Sequence, residues 1–338
     1  MLVNTKNEDL IEWPNEAKNA MGGTELLMRR IYERLPRDLL KEVQIVPTRL
    51  SKPLDPKRIR IAYIHDLPHD PSVNYLKDGG HSKFHHIVFV SNWQMQQFIG
   101  VYGIPWSKCK VIRNGIVPFE EHRKPTDRLR IIYTPTPHRG LSILAGVFDQ
   151  LCKKYDYIEL EVFSSFDLYG WGERDKEFEP LYNFLRNHPK CHYHGTVPND
   201  EVRDAIKQSH IFAYPSIWNE TSCLCLMEAM SAGLVCVHPN LGALYETAAN
   251  LTFQYQFQED NTKHAKLFGY MLDTAIRDID KSEVQSGLSV QKGYAKAFYN
   301  IENSAQQFEG LIRSLLSEPR EISGPCDIFR TEHAMPRF

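Results

Sequence analysis

Residues 210–239 read HIFAYPSIWNETSCLCLMEAMSAGLVCVHP, and the architecture turns on this run. It opens on an apolar stretch, HIFAYP (210–215), passes through a loop into a helical pattern, and closes on a second apolar stretch, LVCVHP (234–239). Strands that read as continuous hydrophobic runs are covered on both faces, and two of them joined through a helix pair in parallel. Outward from this unit the alternation repeats. VQIV (43–46), IRIAYI (59–64), HIVFVS (86–91) and CKVI (109–112) precede a Pro- and charge-rich linker, VPFEEHRKPTDR (117–128); RIIYT (130–134) and YIELEVF (157–163) follow it. The pattern predicts two doubly wound, Rossmann-like α/β domains facing each other across a cleft: 1–118, 119–316 with closing helices, and a tail at 317–338. The stretch from Lys263 to Leu316 reads as packing helices, with Phe298, Ile301, Phe308, Leu311, Ile312 and Leu315 at helical spacing. The first domain is short, and MLVNT is the candidate for its opening strand.

The chain of 338 residues holds 40 basic and 42 acidic residues, so it lacks the basic excess of a nucleic-acid binder. Residues 1–120 carry a net +4 and the remainder −6. Arg30, Arg34, Arg37 and Lys41 recur at three- and four-residue steps, which predicts one basic helix face, either solvated or set against an anionic surface. Seven cysteines without a Cys-x-x-Cys pair, and an N-terminus without a signal pattern, predict reduced thiols and a cytoplasmic location. No apolar run approaches the roughly 18 residues of a membrane span, so membrane contact is expected to be peripheral at most.

Chemistry concentrates in PSIWNETSCLCLMEAMSAG (215–233), where Glu220 and Glu228 lie eight apart. A helix beginning near Ser222 would present the unpaired backbone N–H groups of Thr221, Ser222, Cys223 and Leu224 to an anion such as a diphosphate. Glu228 then falls within reach of ribose hydroxyls, and Glu220 in the loop faces a sugar beyond the phosphate. On spacing alone an equal reading is an amphipathic helix with Leu224, Met227 and Met230 in the core and two solvated glutamates. Arg139, in YTPTPHRGLSIL (133–144), precedes a helix start, where a guanidinium can fork two phosphate oxygens or simply face solvent. Gly22-Gly23 opens another helix, His65 ends the strand IRIAYI, and Asn114-Gly115 closes the first domain as a hinge turn. His69, Asp70, His81, His85 and His86 form a weak metal alternative, and no complete ligand set is visible.

Taken together, Pro215-Ser216, Glu220, Thr221-Ser222-Cys223, Glu228-Ala229 and Gly233 resemble the signature of family 4 retaining glycosyltransferases of the GT-B fold, glycosyltransferase group 1. The resemblance extends through HGTVPNDEVRDAIKQSHIFAYPS (194–216), YTPTPHRGLSIL and FVSNWQMQQFIGVYGIPWSKCKVIRNGI (89–116). It implies transfer of a hexose from a nucleoside-diphosphate sugar, UDP-glucose as first guess, to the hydroxyl of a saccharide or lipid-linked acceptor. It also implies no cofactor and no required metal. Under it Glu228 takes the ribose; Thr221, Ser222, Cys223, Leu224 and Arg139 take the diphosphate; Glu220 takes the sugar; Gly195 and Val197 meet the base. His65, Gly22 and Gly23 line the opposite wall, and His65, Arg139 and Glu220 are the catalytic candidates. The family's second phosphate-loop base is replaced here by Thr134 or Pro135. Two alternatives compete: a nucleotide-sugar epimerase on the same fold, and a non-catalytic sugar-nucleotide-binding scaffold.

Overall fold

A computed structural model describes residues 22–317. The candidate opening strand MLVNT and the tail from 318 lie outside the described residues, as does Met21 before the Gly-Gly pair. The chain divides into two units. The first comprises Gly22–Gly115 together with the last helix, Ile301–Ser317, and the second Ile116–Asn300.

In the first unit, helices α1 (Gly23–Tyr32) and α2 (Arg37–Glu42) precede strand β1 (Val43–Pro47); β2 (Ile59–Ile64), β3 (His86–Phe89), helix α3 (Asn92–Tyr102) and β4 (Cys109–Val111) follow. The four strands pair in parallel in the order β1-β2-β3-β4. Alternation along IRIAYI splits its side chains between two cores. Ile59, Ile61 and Tyr63 pack with Leu27, Met28, Ile31 and the last helix, whereas Ala62 and Ile64 pack with Val73, Leu76 and Phe98.

The expected single basic helix is two helices. Pro36, at the N-cap of α2, has no N–H to continue the ladder of α1 and disfavours a helical residue before it. Arg34, between the helices, instead donates to Glu302 at 2.6 Å and to the Arg30 carbonyl at 3.0 Å.

The second unit carries β5 (Leu129–Tyr133), α4 (Leu141–Cys152), β6 (Ile158–Val162), α5 (Glu179–Asn187), β7 (Cys191–Tyr193), α6 (Asn199–Gln208) and β8 (Ile211–Ala213). It continues with α7 (Leu224–Ser231), β9 (Val235–Pro239), α8 (Leu244–Ala248), β10 (Phe253–Tyr255), α9 (Asn261–Asp278) and α10 (Ser282–Phe298). Its six parallel strands run β10-β9-β8-β5-β6-β7, so the order reverses between β8 and β5. Three-residue β7 and β10 carry too little apolar sequence to be read as strands beforehand; pairing with β6 and β9 secures them.

The final helix, α11 (Ile301–Ser317), was expected among the closing helices of the second domain and instead belongs to the first unit. Its Ile301, Phe308, Ile312 and Leu315 lie in the same core as α1, α2 and the β1–β2 face. Phe298, expected in a helical core stripe, sits at the end of α10 and is 56% exposed.

Candidate active site

The loops leaving β5 and β8 meet at the reversal of the second sheet, where open α/β sheets build ligand sites. After β5 the chain makes a single 3-10 turn, Pro137–Arg139, and enters α4 through Gly140. Gly140 has φ +114°, and a Cβ there would lie 2.1 Å from the Pro215 carbonyl oxygen in the loop after β8. Only glycine permits both the backbone conformation and the approach.

Across this contact Arg139 Nη1 lies 2.6 Å from Glu220 Oε1, and Tyr214 donates its hydroxyl to the same oxygen at 2.5 Å. The Glu220 side chain is 6% exposed and that of Arg139 24%. Removing one partner of a buried pair costs about 3–5 kcal/mol, because the other charge is left uncompensated. Burial works against the Arg139 charge, but the Glu220 carboxylate together with Tyr214, Tyr169 and Cys223 outweighs it and holds the guanidinium well above its ordinary pKa. Burial, followed by the charge on Glu220, pushes the Tyr214 phenol far up, so it remains a donor. The Glu220 carbonyl accepts from Ala243 N at 2.7 Å. A Cβ on Gly242 would come within 2.7 Å of the Glu220 backbone.

These restraints hold residues 220–223 out of the helix. Cys223 is extended at the N-cap, and α7 begins at Leu224 rather than near Ser222. The first intrahelical bond is Met227 N to Cys223 O at 3.1 Å, so the N–H groups without an intrahelical acceptor are those of Leu224, Cys225 and Leu226. Of the four N–H groups expected at the helix start, only that of Leu224 lies in its first turn, while Thr221, Ser222 and Cys223 belong to the approach loop. The Cys223 thiol, hydrogen-bonded to Cys225 and buried, is pushed well up, and Cys225 also bonds Thr134. Among the described residues, Arg139 Nε, Ser222 Oγ and Thr136 Oγ1 are buried without a hydrogen-bond partner. Buried polar groups of this kind ordinarily find one.

Glu228, one turn into α7, is buried, and its Oε1 lies 3.1 Å from Arg203 Nη1. The Arg203 guanidinium also bonds the Val117 carbonyl and sits 4.0 Å above the Phe119 ring. Gly195 adopts φ +66° just after β7, with Val197 two residues on. Gly195 lines a cavity of about 420 Å³ with Ser165, Tyr182, Arg186 and Tyr193.

Tyr214, Arg203, His138, Trp218 and Gly242 went unread in the sequence. His138 stacks on Phe166 at 5.1 Å and meets Trp218 edge-on, and Trp218 in turn lies 5.7 Å from the Arg139 guanidinium. Tyr214 ends the run HIFAY and could have been singled out as a polar tip on an apolar strand. Arg203 sits on a helix face with several other charges, and nothing local distinguishes it.

In the first unit, Gly22 is the N-cap of α1, and its carbonyl accepts from Leu26 N at 3.1 Å; Gly23 is the first helical residue. His65 follows β2 directly, and its N–H donates to Thr48 Oγ1 at 2.8 Å. Burial lowers its imidazole to about 3, so it is neutral at ordinary pH. Asn114 accepts from the Tyr63 hydroxyl at 3.1 Å. Three of the five residues of the metal alternative, His69, Asp70, His81, His85 and His86, make structural contacts. His85 Nδ1 accepts from Arg60 N, His86 Nδ1 meets the Lys108 carbonyl, and Asp70 caps a 3-10 turn through Ser72 N.

This site lies within a recognised domain. Residues 119–266, which lie within the second unit, match the model of glycosyl transferases group 1. The α/β fold with parallel sheets is that of GT-B glycosyltransferases, as the sequence led us to expect.

Among particular proteins, the chain is similar to one of the subunits of human phosphatidylinositol N-acetylglucosaminyltransferase, at 28% identity over 38% of this chain and 25% of the human protein. It is similar in structure to a glycosyltransferase from Rickettsia africae, with TM-score 0.66, 16% identity, and coverage of 91% of this chain and 85% of that one. An Anabaena protein solved in complex with UDP-glucose gives TM-score 0.59 at 17% identity, over 77% and 72% of the two chains. The chain spans a quarter to a half of the length of the curated relatives it matches.

Proposed function

We propose that the protein is a glycosyltransferase that moves a sugar from a nucleoside diphosphate to an acceptor hydroxyl with retention at the anomeric carbon. The observation carrying this reading is the Arg139–Glu220–Tyr214 network, set against the start of α7 at the sheet reversal of a glycosyl transferases group 1 domain. In this reading Arg139 and the N–H groups of Leu224 to Leu226 receive the negative charge that grows on the leaving phosphate. Donors fixed there stabilise the transition state more than the ground state. Glu220 has one oxygen committed to Arg139 and Tyr214, so it orients Arg139 as well as meeting the donor sugar. Glu228, braced by Arg203, takes ribose hydroxyls. Gly195 and Val197 take the base.

The C1–O bond to the diphosphate breaks as the acceptor oxygen bonds C1 on the same face, and the acceptor proton passes to the departing phosphate. The chain's own cation and backbone donors neutralise that phosphate, so the reaction needs no metal in this proposal.

N-acetylglucosamine replaces glucose as the first sugar to test, because the curated relatives carry it in their names; UDP is the first nucleotide, because the Anabaena neighbour holds UDP-glucose. Those names also make phosphatidylinositol the first acceptor and a complex of several chains the expected context. No helix among the described residues is long and apolar enough to cross a membrane. Peripheral attachment at the cytoplasmic side of a membrane is the proposed location, because the names of the curated relatives include a membrane lipid.

Calorimetry with UDP, GDP and ADP and their sugar conjugates, with and without EDTA, tests the donor site. UDP binding that survives EDTA and weakens by about 1–3 kcal/mol in Glu228→Ala supports it. Affinity for UDP unchanged by that substitution removes Glu228 from the ribose. With labelled UDP-N-acetylglucosamine and phosphatidylinositol, a labelled lipid is the expected product. A free epimerised sugar, or binding with no product, would transfer the assignment to the epimerase or scaffold alternative.

A further inference from the structure

We propose that the solvent-facing side of β6 and β7 binds a divalent transition-metal ion, with zinc as the principal candidate, through Glu159, Glu161 and His192, with His194 adjoining them. The site does not depend on the transferase reading, although His194 adjoins Gly195 and lines the same cavity.

Its basis is strand register. Along β6, Ile158, Leu160 and Val162 are buried in the core while Glu159 and Glu161 are half-buried on the other face. Glu161 pairs directly with His192 on β7. The two-residue period of a strand then puts Glu159, Glu161, His192 and His194 on one face. One ligand atom from each of Glu159, Glu161 and His192 lies within 4.8 Å of the others. His192 Nε2 is 3.9 Å from Glu159 Oε2, and His194 Nε2 is 2.7 Å from Glu161 Oε2.

Imidazole nitrogen with carboxylate oxygen is a donor set suited to zinc, bound at about 2.0–2.2 Å. Tetrahedral ligands at that distance stand about 3.4 Å apart. Torsion of side chains that are 17% to 45% exposed closes the remaining gap without moving the strands.

The competing cations are Arg128 and Arg130, each with Nε 3.8 Å from Glu159, beyond hydrogen-bond range. Arg130 spends its fork on Asp127, at 2.9 and 2.7 Å. The Glu161 and His192 pair has no such neighbour among its described ion pairs. An ion here would clip β7, the three-residue edge of the sheet, to β6, and would steady the strand that leads into Gly195.

The full chain, stripped with EDTA and dialysed, is titrated with zinc chloride in the calorimeter and in thermal unfolding, with magnesium chloride as control. One saturable zinc site and a raised Tm are expected, with no response to magnesium. His192→Ala and Glu161→Gln should each weaken zinc binding at least about tenfold. Far-ultraviolet circular dichroism of the metal-free variants checks folding. Should one variant fail to fold, the other carries the test. Cobalt substitution should give the visible bands of nitrogen and oxygen ligation. Zinc binding unaltered in the folded variant, thiolate-to-cobalt charge-transfer bands, or the absence of saturable binding each overturns the proposal.

Discussion

The four strands of the first sheet follow one another in chain order, whereas the second sheet runs β10-β9-β8-β5-β6-β7 and reverses between β8 and β5. In a sheet built in one direction, right-handed crossovers all fall on the same face. The first unit shows this. Leu50 and Leu54 from the β1–β2 connection, Val73, Leu76 and Phe84 from β2–β3, and Met95 and Phe98 from β3–β4 share one core. The opposite face is left for helices from elsewhere in the chain, and α1, α2 and α11 supply them. In the second sheet the crossovers from β5 and β8 leave in opposite directions, and the loops that start them meet in the crevice at the reversal, where Arg139 pairs with Glu220.

Arg139→Ala tests that distinction most severely. Transfer should fall at least about 100-fold, the scale of losing one donor to a developing oxyanion. Stability should fall by about 3–5 kcal/mol, because Glu220 remains buried and unpaired. Adding Glu220→Gln removes the stranded charge, so the double variant should recover stability in urea unfolding without recovering rate. A single variant with full turnover would break the link between the reversal and catalysis. Next in size is Gly140→Ala, which forces a Cβ onto the Pro215 carbonyl at φ +114°. Strain there should cost about 2 kcal/mol or more in denaturant unfolding. A neutral result would show that the two loops can separate freely.

Eight strands were legible because each is a short, mostly apolar run or, in β6, an alternating one, and IRIAYI matches β2 residue for residue. The boundary at α11 was not, because it depends on which sheet face the crossovers leave uncovered, a property of the assembled order and not of any window of sequence. The site was legible in its sequence-local parts. Glu220 and Arg139 stand in recognisable turns and Glu228 one turn into the helix that follows, and the family match covers all three. Their partners were hidden for the same reason as α11. Tyr214 reaches Glu220 only because the loop after β8 folds back, and Arg203 reaches Glu228 from a helix 25 positions earlier. The shift of the helix start to Leu224 follows from those partners too, since Glu220 is pinned on both side chain and backbone.

The smallest predicted effect, confined to acid, sharpens the comparison between units through one half-buried histidine in each. His65 in the first and His138 in the second are both held near pKa 3. For His65 burial alone is responsible, whereas for His138 burial is joined by the charges of Arg139 and Arg174. Unfolded, each imidazole takes a proton near pH 6.5, so the stability each contributes is complete above that value and lost as pH falls toward 3. Across that window each adds up to about 1.4 kcal/mol per pH unit to the slope of stability against pH. His65→Phe, which keeps an aromatic ring against Tyr63, and His138→Phe, which keeps the stack on Phe166, should each flatten the acid limb and leave stability above pH 7 unchanged. Salt should separate them, because desolvation is indifferent to ionic strength and interactions with partly exposed arginines are screened. Raising salt should therefore reduce the His138 contribution and leave that of His65 in place. Equal salt responses would mean that Arg139 does not act on its neighbouring imidazole, and would weaken its assignment as the charge at the reversal.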